Sequence, residues 1–224
     1  YITKDGEYMV SDPISLNQET DSNDSSNNQQ TQEIPKSDLP LVELYVMSFC
    51  PYGNEAEDTL YPVYELLKDQ VQWEIHYIVS VSGDDVSSLH GQPEVDQNIR
   101  EVCVMEDYGM DKWFEFVTYV NDNCGSNGNC WEDAAQEAGL DTGEIKDCLE
   151  NRGLDLMKQE ANASQEAGAT GSPTLLINGV KTNTVYQYGD SEAYKSTLCE
   201  AFNEAPEECS VELGSESTAA SGSC

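Results

Sequence analysis

Eight cysteines and two histidines are the residues of this chain with most chemistry to offer. The cysteines are Cys50, Cys103, Cys124, Cys130, Cys148, Cys199, Cys209 and Cys224, and no two form a C-x-x-C pair. With only His76 and His90 beside them, the spacing argues against zinc, and neither a metal nor a cofactor is expected. Disulfides in an oxidising compartment account better for so many cysteines. That places the protein outside the cytoplasm, secreted or at a cell surface, with an intracellular hyperthermophile protein as the exception. Cys50 stands apart: it ends the stretch LVELYVMSFC and is followed by Pro51. A thiol there has three options: mixed disulfides, peroxide reduction with an external thiol, or a fixed bond to Cys224 of its own or another chain.

The flanking pattern explains why Cys50 would be reactive. Leu41–Met47 is short, apolar on both alternating faces and followed by turn residues, as in a buried strand. Ala56, Leu60, Val63 and Leu67 then recur at helical spacing. Pro51 suits the first turn of that helix, where its missing N–H costs nothing. Cys50 would sit at the strand-to-helix junction, at the positive end of a helix, where a thiolate is favoured.

Further along, Val71, Trp73, Ile75, Tyr77 and Val79 share one face of a strand over Val71–Val81. His76 lies on the other face, as a packed or exposed strand residue. His90 falls in the loop Ser82–Gln92 without an evident partner. From residue 93 to about 166 the pattern is helical. Val95, Ile99, Val102 and Cys103 mark one helix, and Trp113, Phe114, Phe116, Val117 and Val120 the next. Cys130–Ala138 forms a third, stopped by Gly139; a fourth opens at Thr142 and ends at Gly153; a further one covers Leu154–Gln165. Strands return at Thr174–Ile177 and Val180–Tyr186 around an Asn178-Gly179 turn, and a last helix spans Ser191–Phe202.

The motif CPYG at Cys50 resembles the redox turn of the thioredoxin superfamily, with Gly53 in place of the second cysteine. The run Gly171-Ser172-Pro173-Thr174-Leu175-Leu176 resembles the superfamily's cis-proline strand, which implies that Pro173 faces Cys50 and shapes a substrate groove. A helical block between the second strand and that proline resembles the DsbA-type disulfide oxidoreductases. Residues 94–180, with NIREVCV, WFEFVTYVNDNC, CWEDAAQEAGLDTGEIKDCL and SPTLLING, also resemble the lumenal thioredoxin-like region of plant vacuolar sorting receptors. That likeness takes in Cys103, Cys124, Cys130, Cys148 and Pro173 in order, and implies a binding or structural role for the module.

Plausibility pairs Cys130 with Cys148 across a helical hairpin, Cys103 with Cys124 around one helix, and Cys199 with Cys209 across a short loop. Cys50 and Cys224 are left over. Eight cysteines permit 105 connectivities, so the set is an expectation only. Without a second sulfur at Gly53, dithiol exchange within the turn is closed.

The formal charge is −33. Such a field repels nucleic acid and anionic lipid, so neither is an expected partner. It serves solubility, or holds divalent cations loosely. The asparagine-rich loop Asn123–Asn129 fails the EF-hand spacing and reads as a disulfide-closed turn. Asn23 and Asn162 begin glycosylation sequons that matter only on export. No run of about 18 apolar residues offers a membrane span. The sequence opens on Tyr1 without an initiator Met or signal peptide, as a processed or trimmed amino terminus would.

The expected fold class is α/β: a disulfide-stapled thioredoxin-like domain over residues 40–210, with a helical insertion at about 93–166. It is preceded by an arm at 1–16, suited to an inter-subunit strand, and a polar linker at 17–39, and followed by a low-complexity tail at 211–224. The leading expectation for function is a non-catalytic, protein-binding or structural component of a surface assembly, with a homo-oligomer or filament built through the arm as one form of it. The alternatives are a monothiol DsbA-like oxidoreductase using Cys50, and a receptor-like peptide binder.

Overall fold

The computed structural model describes residues 33–214 and Cys224. The expected arm at 1–16, most of the polar linker and the sequon at Asn23 lie outside the described residues.

Strand β1 (Leu41–Val46) is the centre of a four-stranded sheet of order β2-β1-β5-β6. It pairs in parallel with β2 (Gln72–Tyr77) and antiparallel with β5 (Thr174–Ile177), which pairs antiparallel with β6 (Val180–Thr182). The β1–β2 crossover is helix α1 (Pro51–Leu67), which starts directly after Cys50 with Pro51 in its first turn. Between β2 and β5 come a small hairpin, β3 (Ser80–Ser82) and β4 (Asp85–Ser87), and four helices. These are α2 (Gln92–Tyr108), α3 (Met110–Asn123), α4 (Trp131–Glu137) and α5 (Thr142–Glu166). Helix α6 (Ser191–Cys199) packs beside α1.

The alternation of β1 divides the molecule. Val42, Leu44 and Val46 join Ile75, Tyr77, Leu175 and Ile177 in the main core, with α1, α3 and α6. On the other face Tyr45 and Leu176 form a small cluster with Ala169, against the alanines at the end of α5. Trp113 and Phe114 of α3 are fully buried in the main core, and the Trp113 indole donates to the Tyr77 hydroxyl at 2.8 Å.

Several boundaries differ from the sequence reading. The expected break at Gly153 is absent, and α5 runs unbroken for 25 residues. Gly153 is where α2 crosses α5: a Cβ there would meet Ile99 at 3.0 Å, so the missing side chain serves close helix packing instead of termination. The strand expected over Val71–Val81 breaks after Tyr77, and the loop Ser82–Gln92 contributes a hairpin strand. Val180–Tyr186 is extended only to Thr182 and then coils into a short helical turn. Residues beyond Pro35 dock on the domain: Ser37 bridges Phe202, and Asn178 donates to the Pro35 carbonyl at 2.6 Å.

The disulfides also correct an expectation. Cys103 bonds Cys148, tying α2 to α5, and Cys124 bonds Cys130. The expected Cys130–Cys148 and Cys103–Cys124 pairs are therefore wrong. The packing explains why: α2 lies along α5, whereas the turn after α3 closes tightly and holds the Cys124 and Cys130 Cα atoms 5.0 Å apart. Cys199 bonds Cys209, and Cys50 bonds Cys224.

Candidate active site around Cys50

Cys50 caps the N-terminus of α1 and is buried. Its amide donates to the Met47 carbonyl at 2.9 Å, closing a tight turn at the end of β1. The preceding residues are held by side chains of α2. The Ser48 amide and hydroxyl both donate to Asn98 Oδ1, at 3.1 and 2.6 Å, and the hydroxyl lies 2.9 Å from Glu101. The Phe49 amide donates to Glu94 at 3.0 Å. Glu94, Asn98 and Glu101 stand one turn apart on α2, so one helix face fixes the loop that presents the sulfur.

Ser172 and Pro173 lie across from Cys50, joined by a cis peptide bond. The Cys50 sulfur is 3.4 Å from the Ser172 carbonyl oxygen. The Ser172 hydroxyl accepts from the Met47 amide at 3.0 Å. That hydroxyl fills the space beside position 53: a Cβ on Gly53 would lie 2.6 Å from Ser172 Oγ. The site is thus packed for glycine where a second turn cysteine would stand. The sulfur that Cys50 meets instead is Cys224 of the same chain, 174 residues away in sequence.

Beneath the loop, the carboxylates of Glu57 and Glu101 are buried. Burial pushes Glu101 up to about 7, against the opposing pull of hydrogen bonds from Gln97, Tyr77 and Ser48. Burial also raises Glu57 well above its ordinary value, with Glu101 adding repulsion. One Glu57 oxygen and the Asn98 amide nitrogen lack partners among the described residues. Burial of the Glu57 carboxyl with one oxygen unpartnered favours its protonated form.

The sequence picked out Cys50 and Pro173, and the fold brings them together. It missed Glu94, Asn98, Glu101, Glu57 and Ser172. The available signal was a polar stripe beside the apolar Val95, Ile99 and Val102, but such a stripe is indistinguishable from a solvated face. His90 does find a partner: its Nδ1 is 2.7 Å from Glu94. The turn at Cys124–Cys130 also contributes, because a Cβ on Gly128 would meet Gln97 Oε1 at 2.9 Å and Phe49 at 3.3 Å. That disulfide therefore braces the residue next to Cys50. Asn162 is exposed on α5, while the hydroxyl of its sequon partner Ser164 donates to the Tyr77 carbonyl at 3.3 Å.

Comparison with known proteins settles the fold. The family model described as gamma interferon inducible lysosomal thiol reductase matches residues 41–151, just under half of the chain. Among solved structures, a reduced disulfide bond oxidoreductase (DsbG) from Mycobacterium tuberculosis is similar at 14% identity and a TM-score of 0.56. That match covers 79% of this chain and 89% of the other. This chain has a DsbA-like thioredoxin fold. DsbA from Mycobacterium tuberculosis (16% identity, TM-score 0.54, covering 79% and 94%) and BdbD from Bacillus subtilis (13%, 0.54, covering 74% and 89%) support the same architecture. A comparison with curated proteins finds no match by sequence. These findings add nothing to the likeness between residues 94–180 and plant vacuolar sorting receptors. Among the described residues of this DsbA-like chain, no helix is long and apolar enough to cross a membrane. Its four disulfides fit an oxidising compartment outside the cytoplasm.

Proposed function

We propose that the chain carries out thiol–disulfide exchange through Cys50, with Cys224 as the partner sulfur that Gly53 does not supply. The supporting observation is the pairing itself: the cysteine at the redox turn is bonded to a distant cysteine, while Ser172 occupies the volume of the usual neighbour. The step balances simply. A client thiolate attacks the Cys50 sulfur, the S–S bond breaks, and Cys224 leaves as thiolate and takes up a proton. A second client thiolate then attacks the mixed disulfide, releasing an oxidised client and reduced Cys50. Two electrons pass to the protein, and an external disulfide restores the Cys50–Cys224 bond. The position of Cys50 at the start of α1 favours its thiolate as leaving group, and the family model that covers this turn is named for a thiol reductase.

The test is redox titration of the full chain in glutathione buffers, with alkylation and peptide mapping. Cys50–Cys224 is expected to open before the other three bonds. Oxidation of a dithiol peptide, with glutathione disulfide as the external oxidant, is expected to vanish in Cys50→Ser and fall in Cys224→Ser. Should Cys50–Cys224 outlast the other three and neither variant change turnover, the bond is a fixed staple. The chain is then a non-catalytic module of an exported assembly.

A further inference from the structure

On the sheet face opposite the main core, β1 and β2 set Glu43 directly beside Glu74, and Tyr45 beside His76. The ligating atoms of Glu43, Glu74 and His76 all lie within 4.8 Å of one another. We propose that these three side chains bind one divalent transition-metal cation, with Glu160 of α5 orienting the histidine.

The orientation of His76 separates this group from an ordinary acidic patch. Its Nδ1 lies 3.2 Å from Glu160 Oε2, an oxygen already fixed by the Tyr77 amide at 2.7 Å. A carboxylate at Glu160 accepts from that ring, an arrangement that puts the hydrogen on Nδ1. The remaining nitrogen, Nε2, then presents its lone pair toward the Glu74 carboxylate, 3.4 Å away. With Nε2 unprotonated, a divalent cation takes the place of the proton that otherwise joins this nitrogen to Glu74. Tetrahedral zinc, with bonds of about 2.0–2.2 Å, spaces neighbouring ligand atoms at about 3.3–3.6 Å, close to that separation.

A carboxylate on the far nitrogen of a metal-bound histidine is the usual second-layer arrangement. Tyr45 stacks on the imidazole with centroids 4.9 Å apart, and its hydroxyl donates to Glu43 Oε1 at 2.9 Å, leaving the second oxygen of Glu43 to a metal. Among the described residues no lysine or arginine forms an ion pair with Glu43, Glu74 or Glu160. An imidazole joined by two carboxylates suits zinc-like cations over calcium or magnesium, which prefer all-oxygen sites. The ion would clamp β2, an edge of the sheet, to β1 and through Glu160 to α5. The eight cysteines are all in disulfides and do not compete for it.

The site stands apart from Cys50, so its test is independent of the exchange chemistry. Zinc chloride is titrated calorimetrically into the oxidised, chelator-washed full chain at about 0.15 M salt, where loose counter-ions are screened. Calcium chloride serves as control. One zinc ion per chain is expected, with no matching calcium isotherm and a raised unfolding midpoint. His76→Gln should weaken binding at least tenfold, and Glu160→Gln by roughly 10–100-fold. Should His76→Gln fold poorly by circular dichroism, Glu43→Gln combined with Glu74→Gln replaces it and should give the same loss. Several weak sites that fade with salt, equal binding of calcium, or zinc binding that survives these variants would each overturn the assignment.

Discussion

The two faces of β1 carry the same kind of residue to opposite ends. On one face, Glu57 and Glu101 are buried in the core beneath the Cys50 turn, and desolvation raises both above the ordinary carboxylate value. On the other, Glu43, Glu74 and Glu160 gather around His76. Burial pulls that imidazole down, but Glu160, then Glu74, more than offset this and hold it above its ordinary value. The difference teaches that carboxylate count does not set chemistry. Where burial dominates, as at Glu57 and Glu101, the protonated acid is favoured; where carboxylates surround an imidazole, they organise it. The first arrangement makes a rigid floor for a sulfur, the second an open cradle for a cation.

The largest expected effect lies on the buried face. Glu101 has a folded value of about 7, above the ordinary carboxylate value of 4.5. The folded state therefore holds this proton more tightly than the unfolded chain. Its contribution is full below pH 4.5 and is lost as pH rises through about 7. That loss is on the order of 3 kcal/mol, or several degrees of midpoint for a chain of this size. Thermal unfolding of wild type and Glu101→Gln between pH 5 and pH 8 measures it. The variant, neutral at every pH, should lose less stability than wild type over that window. Equal slopes would mean that the buried face is not controlled by desolvation.

A second effect sharpens the contrast between a packed and an open face. Gly53→Ala should cost about 1–3 kcal/mol, because the new Cβ would lie 2.6 Å from Ser172 Oγ. Ser172→Ala alone should cost about 1 kcal/mol through the lost hydrogen bond from Met47. The double variant should be more stable than the sum of the two losses predicts, since removing the hydroxyl also removes the clash. Denaturant unfolding of the four proteins gives the coupling; strict additivity would show that the turn relaxes and that Gly53 is not a packing requirement.

How much of this was legible in sequence follows the same division. The apolar alternation of Leu41–Met47, the helical spacing after Pro51 and the Gly171–Leu176 run each report on local geometry, and they located Cys50, Pro173 and the DsbA-like fold. Gly153 misled because glycine signals a helix end and a close helix contact alike, and only Ile99 across the gap tells them apart. Two expected disulfide pairs failed for a related reason, while Cys199–Cys209 stands: sequence proximity favoured Cys103 with Cys124, whereas packing of α2 on α5 delivers Cys148. His76 was read from its strand as a packed or exposed residue. Its carboxylate partner comes from α5, 84 residues later, and no spacing rule reaches that far.

The smallest expected effect is on the open face. The side chain of Glu74 is half exposed (52%), and its contact with His76 is 3.4 Å. Exposed pairs of this kind contribute roughly 0–1 kcal/mol, so with chelator present Glu74→Gln should unfold within about 0.5 kcal/mol of wild type. With zinc present the two proteins should separate, because the variant loses an anionic ligand and with it the added stability of the bound ion. Paired unfolding curves with and without zinc measure this directly. A variant that is equally destabilised in both conditions would mark Glu74 as part of the fold's own bonding and remove the contrast between the two faces.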